Sequence, residues 1–357
     1  MQEMKTPVSP AVKIKTIMKP LMLLFLLCGL TSMRSNRKRC VVFSAAFPAT
    51  CLSVLVLRTY CVSIGFSVLK LFSLAEKFFS LLTWWCVRQK IESMTNLVEQ
   101  LEAFKEYIGF MKSQKLLKIT RSVASGVIFA MFFMPTVRAF HYLMSPSDLQ
   151  FCLLWWIPGN RYISIITYFL YEVSNTFVST APLYAVCVFY SMYCCIFASC
   201  LPDEESLTRP IKQKSIEVLK KLEATFSFII FIVFAFFLFT FFKKILLFAY
   251  MLKNSATTIT YTYMMDFVLN TVLVVAVVLS ADNVQQKINH PYCKFSNNSD
   301  LDTALNQHDV NVCENHNSST LTGWRMFAVR KPLLLSLSAW LFTYAVIIIQ
   351  FFYSPQN

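Results

Sequence analysis

The chain has 357 residues, of which 56% are hydrophobic and 34 are Phe, and its formal net charge is +14. So large an apolar share excludes an ordinary soluble domain and predicts a multi-span membrane protein. The six glycines form no GxGxxG, Walker-type or GxxxG arrangement, which excludes nucleotide-binding loops and glycine-mediated helix packing. We assign the positive charge to cytoplasmic loops, because nucleic-acid binding needs a soluble basic surface.

The reactive side chains form no constellation typical of an enzyme. The twelve cysteines lie mostly in apolar runs, and the four histidines belong to no HExxH or Cys/His set. Acidic residues within the apolar segments are too sparse for a catalytic dyad. We therefore predict no enzymatic activity, no metal and no cofactor.

Residues 1–40 predict a cytoplasmic arm with a short interfacial helix. The arm is strongly basic, with Glu3 as its one acidic residue. The apolar stretch Leu21–Met33 is too short to cross a bilayer. A signal peptide is the alternative, but the basic cluster at 34–39 opposes translocation.

Residues 41–144 predict three spans and one cytoplasmic helix. Within the second span, Lys70, Glu76 and Lys77 either face a water-filled cavity or indicate a wrong boundary. Residues 88–121 are charged, with apolar positions at helical spacing, which predicts an amphipathic cytoplasmic helix. We place the three spans at Val41–Leu57, Phe66–Val87 and Ser122–Met144.

Residues 145–281 predict three further spans. Residues 145–175 are interpreted as an exterior loop with a membrane-dipping segment, although the apolar interval Tyr162–Leu201 is nearly long enough for two spans. Lys243 and Lys244 are expected to snorkel at the outer boundary of the fifth span. We place these spans at Thr176–Leu201, Thr225–Phe242 and Tyr261–Ala281, with a charged cytoplasmic helix at 202–224.

The charge distribution predicts the topology. About three quarters of the Lys and Arg residues fall in segments assigned to the cytoplasm, so the N-terminus lies inside and the C-terminus outside. Two glycosylation sequons, at Asn297 and Asn317, disagree with a cytoplasmic loop at 282–331, and we treat them as unused. This orientation opposes a G-protein-coupled receptor. A transporter remains open, although no internal repeat is visible.

The last stretch, residues 332–357, contains a final span and an extracellular tail. No charge interrupts Pro332–Phe352, which is long enough to cross a bilayer. Ser336, Thr343 and Gln350 recur every seven residues and therefore share one helix face. Either they hydrogen-bond across a helix interface, or they line an aqueous pathway built from several copies.

A family resemblance is found in this last stretch. Thr343-Tyr344, five apolar residues and Gln350-Phe351 resemble the Thr-Tyr-x5-Gln-Phe signature in the last transmembrane helix of arthropod gustatory receptors. The run Thr322-Gly323-Trp324, Phe327 and Arg330 is also similar to that family's approach to its final span. Lys19-Pro20-Leu21 running into Gly29-Leu30 is weakly similar to the family's N-terminal region.

The resemblance implies an all-α membrane protein with seven transmembrane helices at the plasma membrane. It further implies a tetramer of the same or related receptor subunits in membrane lipid. In such a tetramer a small-molecule tastant opens a central pore for permeant cations. On this basis Thr343, Ile347 and Gln350 lie on the pore side and Phe351 is a hydrophobic gate. Thr343 and Tyr344 are also expected to brace the helix against its neighbours through hydroxyl hydrogen bonds, with Ser336 as further support. Candidate ligand-binding residues are Tyr171, Glu172, Tyr261, Tyr263 and Asp266.

Overall fold

A computed structural model describes residues 14, 18–30, 45–56, 59, 68–108, 122–123, 125–130, 133–134, 136–137, 161–202, 209–254, 260–289 and 320–353. The helices of this part are α1 (Lys19–Leu27), α2 (Ala45–Val56), α3 (Val68–Ile108), α4 (Arg161–Cys200), α5 (Arg209–Asn254), α6 (Thr260–Asn289) and α7 (Lys331–Tyr353). Two short strands, β1 (Thr322–Gly323) and β2 (Phe327–Ala328), pair antiparallel before α7.

The second span and the cytoplasmic helix that we predicted separately form one helix, α3. It runs for 41 residues, or about 62 Å. Neither Gly nor Pro interrupts it, and apolar Met94, Leu97 and Leu101 continue the buried stripe of the apolar half. In the same way, α5 joins the helix predicted at 202–224 to the fifth span and continues past Phe242.

The exterior loop predicted at 145–175 is wrong from Arg161 onward, because α4 starts there and continues for 40 residues through Pro182. Residues 145–160 lie outside the described part of the chain. Buried positions make up 89% of the most apolar window of α4, the highest share among the described helices that are long enough to span. The apolar interval that was nearly long enough for two spans is thus one long central helix.

Four described helices, α4 to α7, are long and apolar enough to cross a membrane. Helix α3 is not among them because Lys70, Glu76 and Lys77 interrupt its apolar half. The described part of the apolar helix α2 covers residues 45–56, fewer than a span needs. The predicted third span, Ser122–Met144, is described only in fragments.

The long helices pack as a bundle around an aromatic core. Helix α3 contacts α4 and α5, and α6 contacts the same two helices from the other side. Rings of Phe189 and Phe226 stack at 5.5 Å between α4 and α5, and Phe104 meets Phe197 edge-on at 5.5 Å between α3 and α4. Helix α7 lies outside this bundle, against α5 and α6.

The N-terminal arm is fastened to the bundle through the end of α1. Gly29 adopts a φ of 67°, a conformation that favours glycine, and the Leu30 amide donates to the Phe25 carbonyl at 2.7 Å. This cap ends α1 before the apolar stretch Leu21–Met33 is complete. The indole N–H of Trp84 in α3 donates to the Cys28 carbonyl at 2.8 Å, so the arm is held by a buried hydrogen bond.

Candidate pore helix and its surroundings

Helix α7 has two different faces. Its 23 residues extend about 35 Å, enough to cross the roughly 30 Å hydrocarbon core of a bilayer. Ser336, Thr343 and Gln350 are all exposed. At about 100° per residue, their face is centred about 135° around the helix from the packed leucines. The packed face consists of Leu333, Leu334, Leu337 and Leu341.

Ile347 lies between Gln350 and Phe351 on the exposed side near the C-terminal end of α7. On the same helical geometry, Gln350 lies about 60° to one side of it and Phe351 about 40° to the other. Phe351 is 80% exposed and Ile347 40% exposed. The three residues predicted as pore or gate positions therefore share one broad exposed sector, although Gln350 and Phe351 do not point in the same direction.

The hydroxyl groups of the polar stripe are satisfied within α7 itself. Ser336 Oγ donates to the Pro332 carbonyl at 3.2 Å, and Thr343 Oγ1 donates to the Ala339 carbonyl at 2.9 Å. We had expected Thr343 to brace α7 by a hydrogen bond to a neighbouring helix. The observed bond differs because a threonine in a helix reaches the carbonyl four residues earlier.

Tyr344 attaches the middle of α7 to α5 through its ring. The ring meets Phe242 edge-on, with centroids 5.1 Å apart at 83°, and also contacts Trp340 at 5.7 Å. Edge-to-face pairs of this kind add favourable quadrupole energy to area burial. The signature tyrosine thus has a packing role within one chain.

A tight hairpin precedes α7. Gly323 pairs with Phe327, and the Met326 amide donates to the Gly323 carbonyl at 2.9 Å. Trp324 and Arg325 between them both have positive φ, at 48° and 58°. Two consecutive left-handed residues define a type I′ turn, which normally takes Asn or Gly. The hairpin therefore holds two large side chains in an unfavourable backbone conformation.

Aromatic contacts hold this hairpin against α5. The Trp324 amide donates to the Ser227 carbonyl at 3.0 Å, and the Trp324 ring lies 5.3 Å from that of Phe231. The ring of Phe327 meets Phe234 edge-on at 5.4 Å. Residues that carried the family resemblance thus form one unit that positions the start of α7.

Two ion pairs join α5 to α3 and to α6, at the end of the bundle opposite the hairpin. Lys243 Nζ lies 2.7 Å from a carboxylate oxygen of Glu76, and Lys244 Nζ lies 3.0 Å from one of Asp266. All four side chains are largely buried. The prediction that these lysines snorkel is therefore wrong: each one instead neutralises an acid on a neighbouring helix, because an unpaired buried charge is costly.

The predicted ligand-binding residues are spread over two helices. Glu172 is buried and Tyr171 half-buried on α4, while Asp266 on α6 is occupied by its ion pair. Tyr261 and Tyr263 belong to α6, but their side chains lie outside the described part of the structure. The described residues therefore do not place the five candidates together in one site.

Sequence reasoning missed the ion pairs although a signal was present. Glu76 and Asp266 stood within predicted spans, and Lys243-Lys244 ended another one. Opposite charges in separate apolar segments are a signal of pairing between helices, since each is expensive in hydrocarbon alone.

No known family profile matches this chain, and no curated protein sequence matches it. Among solved structures it is similar to the insect olfactory receptor OR5 from Machilis hrabei, with a TM-score of 0.58 at 13% identity over 94% of this chain and 98% of that one. The same receptor in complex with eugenol gives a TM-score of 0.57 at 12% identity, with the same coverage. Such low identity is informative about fold alone. The chain therefore has the helical membrane fold of an insect olfactory receptor.

Proposed function

We propose that this protein is a gustatory-receptor-like chemoreceptor, a ligand-gated non-selective cation channel opened by a small-molecule tastant. The observation that carries this proposal is the two-faced α7. Its leucines pack on its own bundle, whereas its polar stripe stays exposed. In a tetramer of parallel copies in the plasma membrane, four such stripes surround one axis. The insect receptor fold supports this reading.

The outer end of α7 would form the narrow part of the path. With Ile347 directed at the axis, Gln350 presents amides to passing cations on one side and Phe351 meets the next copy on the other. A ring of Ile347 and Phe351 side chains closes such a path by dewetting. Opening then requires only a small rotation or outward tilt of α7, which replaces these apolar side chains with the Gln350 amide in the lining of the pore.

The composition of the same stretch supports weak ion discrimination. No acidic residue occurs between Lys331 and the last residue of the chain. Amide and hydroxyl oxygens without a ring of carboxylates provide little basis for separating one small cation from another. We therefore propose similar permeability for sodium and potassium.

Ligand class is inferred from two sources. The signature at Thr343–Phe351 resembles gustatory receptors, which favours a tastant. A solved olfactory receptor of the same fold is recorded in complex with eugenol, a small aromatic molecule. Eugenol is accordingly the first probe, followed by a panel of sugars, bitter alkaloids and acids.

The proposal is tested by whole-cell current from cells that express this chain alone at a measured surface density. Gln350→Ala and Phe351→Ala should change resting current, block or relative permeability, because both side chains line the proposed constriction. Phe342→Ala is the matched control, since Phe342 is 72% exposed but about 140° from Ile347. Wild-type protein that reaches the surface as a tetramer and carries no current across the panel would refute the channel proposal.

A second candidate is a multi-span receptor or transporter without an intrinsic pore. The hydroxyls of Ser336 and Thr343 bond within α7. The stripe is therefore compatible with lipid as well as with water. A complex of one chain in mild detergent, together with currents indifferent to Gln350→Ala, would favour this alternative.

A further inference from the structure

Gln285 is a buried hydrogen-bond centre between α6 and the segment that starts α7. Its side chain is only 1% exposed. Nε2 donates to the Val329 carbonyl at 2.8 Å and to the Ala281 carbonyl at 3.1 Å. Oε1 accepts from the Leu321 amide at 3.0 Å and from Arg330 Nε at 3.3 Å. Both donor hydrogens and both acceptor positions of the amide are thus used.

The partners of Gln285 lie on both sides of the hairpin. Leu321 precedes β1 and Val329 follows β2, and the Val329 amide also donates to the Leu321 carbonyl at 2.9 Å. One turn earlier on α6, Asp282 lies 3.4 Å from Lys331, the first residue of α7. Gln285 therefore closes the base of the hairpin, and Asp282 adds a second contact between α6 and the start of α7.

Helix α6 connects this base to the opposite end of the bundle. It is 30 residues long, about 45 Å. Near its first turns, Asp266 pairs with Lys244 of α5, and Asn270 accepts a hydrogen bond from the Tyr184 hydroxyl of α4 at 2.7 Å. Helix α6 therefore joins these contacts at its first turns to Gln285, which bonds the hairpin at the other end of the helix.

We propose that Gln285 is a positioning residue that couples α6 to the pore helix α7, so that movement of α6 reaches the start of α7 through the hydrogen bonds of this amide. The inference rests on the proposed channel function. A buried amide with four partners is specific in geometry, and an apolar residue of the same length leaves the Val329 carbonyl and the Leu321 amide without this partner. The coupling therefore depends on the amide and not on the volume of the side chain.

The test compares Gln285→Met with Gln286→Met in the purified full chain. Methionine keeps the length of glutamine in both. Gln286 is exposed, and its amide donates to Asp282 within the same helix, at 2.7 Å. Gln285→Met should raise hydrogen exchange at residues 321–333 and change resting sodium flux through liposomes, each by roughly fivefold or more, while Gln286→Met leaves both near wild type.

If Gln285→Met fails to fold, Arg330→Met takes its place in the same test. It removes one of the four contacts from a half-buried position. It should change exchange and flux in the same direction by a smaller factor. The Gln285→Met/Arg330→Met double variant should add little to Gln285→Met alone, because both substitutions remove the same contact.

The outcomes separate the two proposals. Raised exchange with altered flux supports the coupling. Raised exchange with wild-type flux shows that Gln285 is merely structural and overturns the coupling proposal. Unchanged exchange at residues 321–333 overturns the same proposal. If liposomes that contain the wild-type protein show no sodium flux, either at rest or with eugenol, the channel proposal is refuted instead. Exchange at residues 321–333 then still reports whether Gln285 holds the segment that starts α7, without its link to a current.

Discussion

The ion pair between Glu76 and Lys243 is expected to contribute measurably to the stability of the bundle. Their charged atoms lie 2.7 Å apart, and the side chains are 14% and 15% exposed. Removing one partner of a buried pair typically costs 3–5 kcal/mol, because the other charge loses its compensation. Partial exposure lowers this cost, and we expect about 3 kcal/mol for Glu76→Gln or Lys243→Met.

A double-mutant cycle isolates the interaction. The double variant Glu76→Gln/Lys243→Met removes both charges and should cost less than the sum of the single changes, with a coupling of about 1.5 kcal/mol or more. The free energy of unfolding is measured in mixed micelles at rising mole fraction of denaturing detergent. Circular dichroism reports the loss of helix.

An exposed pair in the same protein provides the control. Glu217 and Lys221 lie 2.8 Å apart, one turn apart on α5, with side chains 63% and 47% exposed. Their hydrogen bond lowers the pKa of Glu217, but solvent screens the pair, so Glu217→Gln should leave the unfolding curve unchanged. If Glu76→Gln behaves like this control, or if its effect and that of Lys243→Met are additive, the buried-pair argument is wrong.

Two further predictions concern the contacts that position α7. A Cβ on Gly323 would overlap the ring of Phe327, so Gly323→Ala should distort the hairpin and reduce the folded fraction in size-exclusion chromatography. Gly126 has open space around it, and Gly126→Ala should elute as wild type; equal profiles would contradict the hairpin geometry. Tyr344→Phe keeps the edge-on contact with Phe242. Tyr344→Leu removes this aromatic pair, which contributes about 0.5–1.5 kcal/mol to the free energy of unfolding. A thermal unfolding midpoint that falls for Tyr344→Leu but not for Tyr344→Phe is the expected result, and equal midpoints would refute a role for the ring.

The character of α7 was largely predictable. An uncharged stretch of membrane-spanning length needs no tertiary information to be recognised as a helix, since unsatisfied backbone groups are not tolerated in hydrocarbon. The seven-residue spacing of Ser336, Thr343 and Gln350 gives one face by helical geometry alone. The face of α7 that packs on the bundle is set by the surfaces of α5 and α6, so the sequence of α7 alone does not predict it.

The helix boundaries were less predictable for a physical reason. Composition changes near Arg88 and Ala224, where we predicted that the chain leaves the membrane. Neither position carries a residue that ends a helix, and α3 and α5 continue through them. Helices α3 and α5 continue because their more polar halves carry an apolar stripe that packs on neighbours. A change in polarity marks a change of surroundings and does not by itself end a helix.

Sequence alone determined that this protein is helical and membrane-embedded, because bilayer thickness and the cost of buried charge act on each segment separately. Only the tertiary structure decided which charges neutralise one another, as Lys243 does Glu76, and which polar residue is buried beside the start of α7. Gln285 has no local signal, because three of its four partners, Leu321, Val329 and Arg330, lie 36 or more residues away in the chain. Hydrogen bonds and ion pairs between distant residues depend on the packing of whole helices, and that packing is a sum over contacts that no single segment specifies.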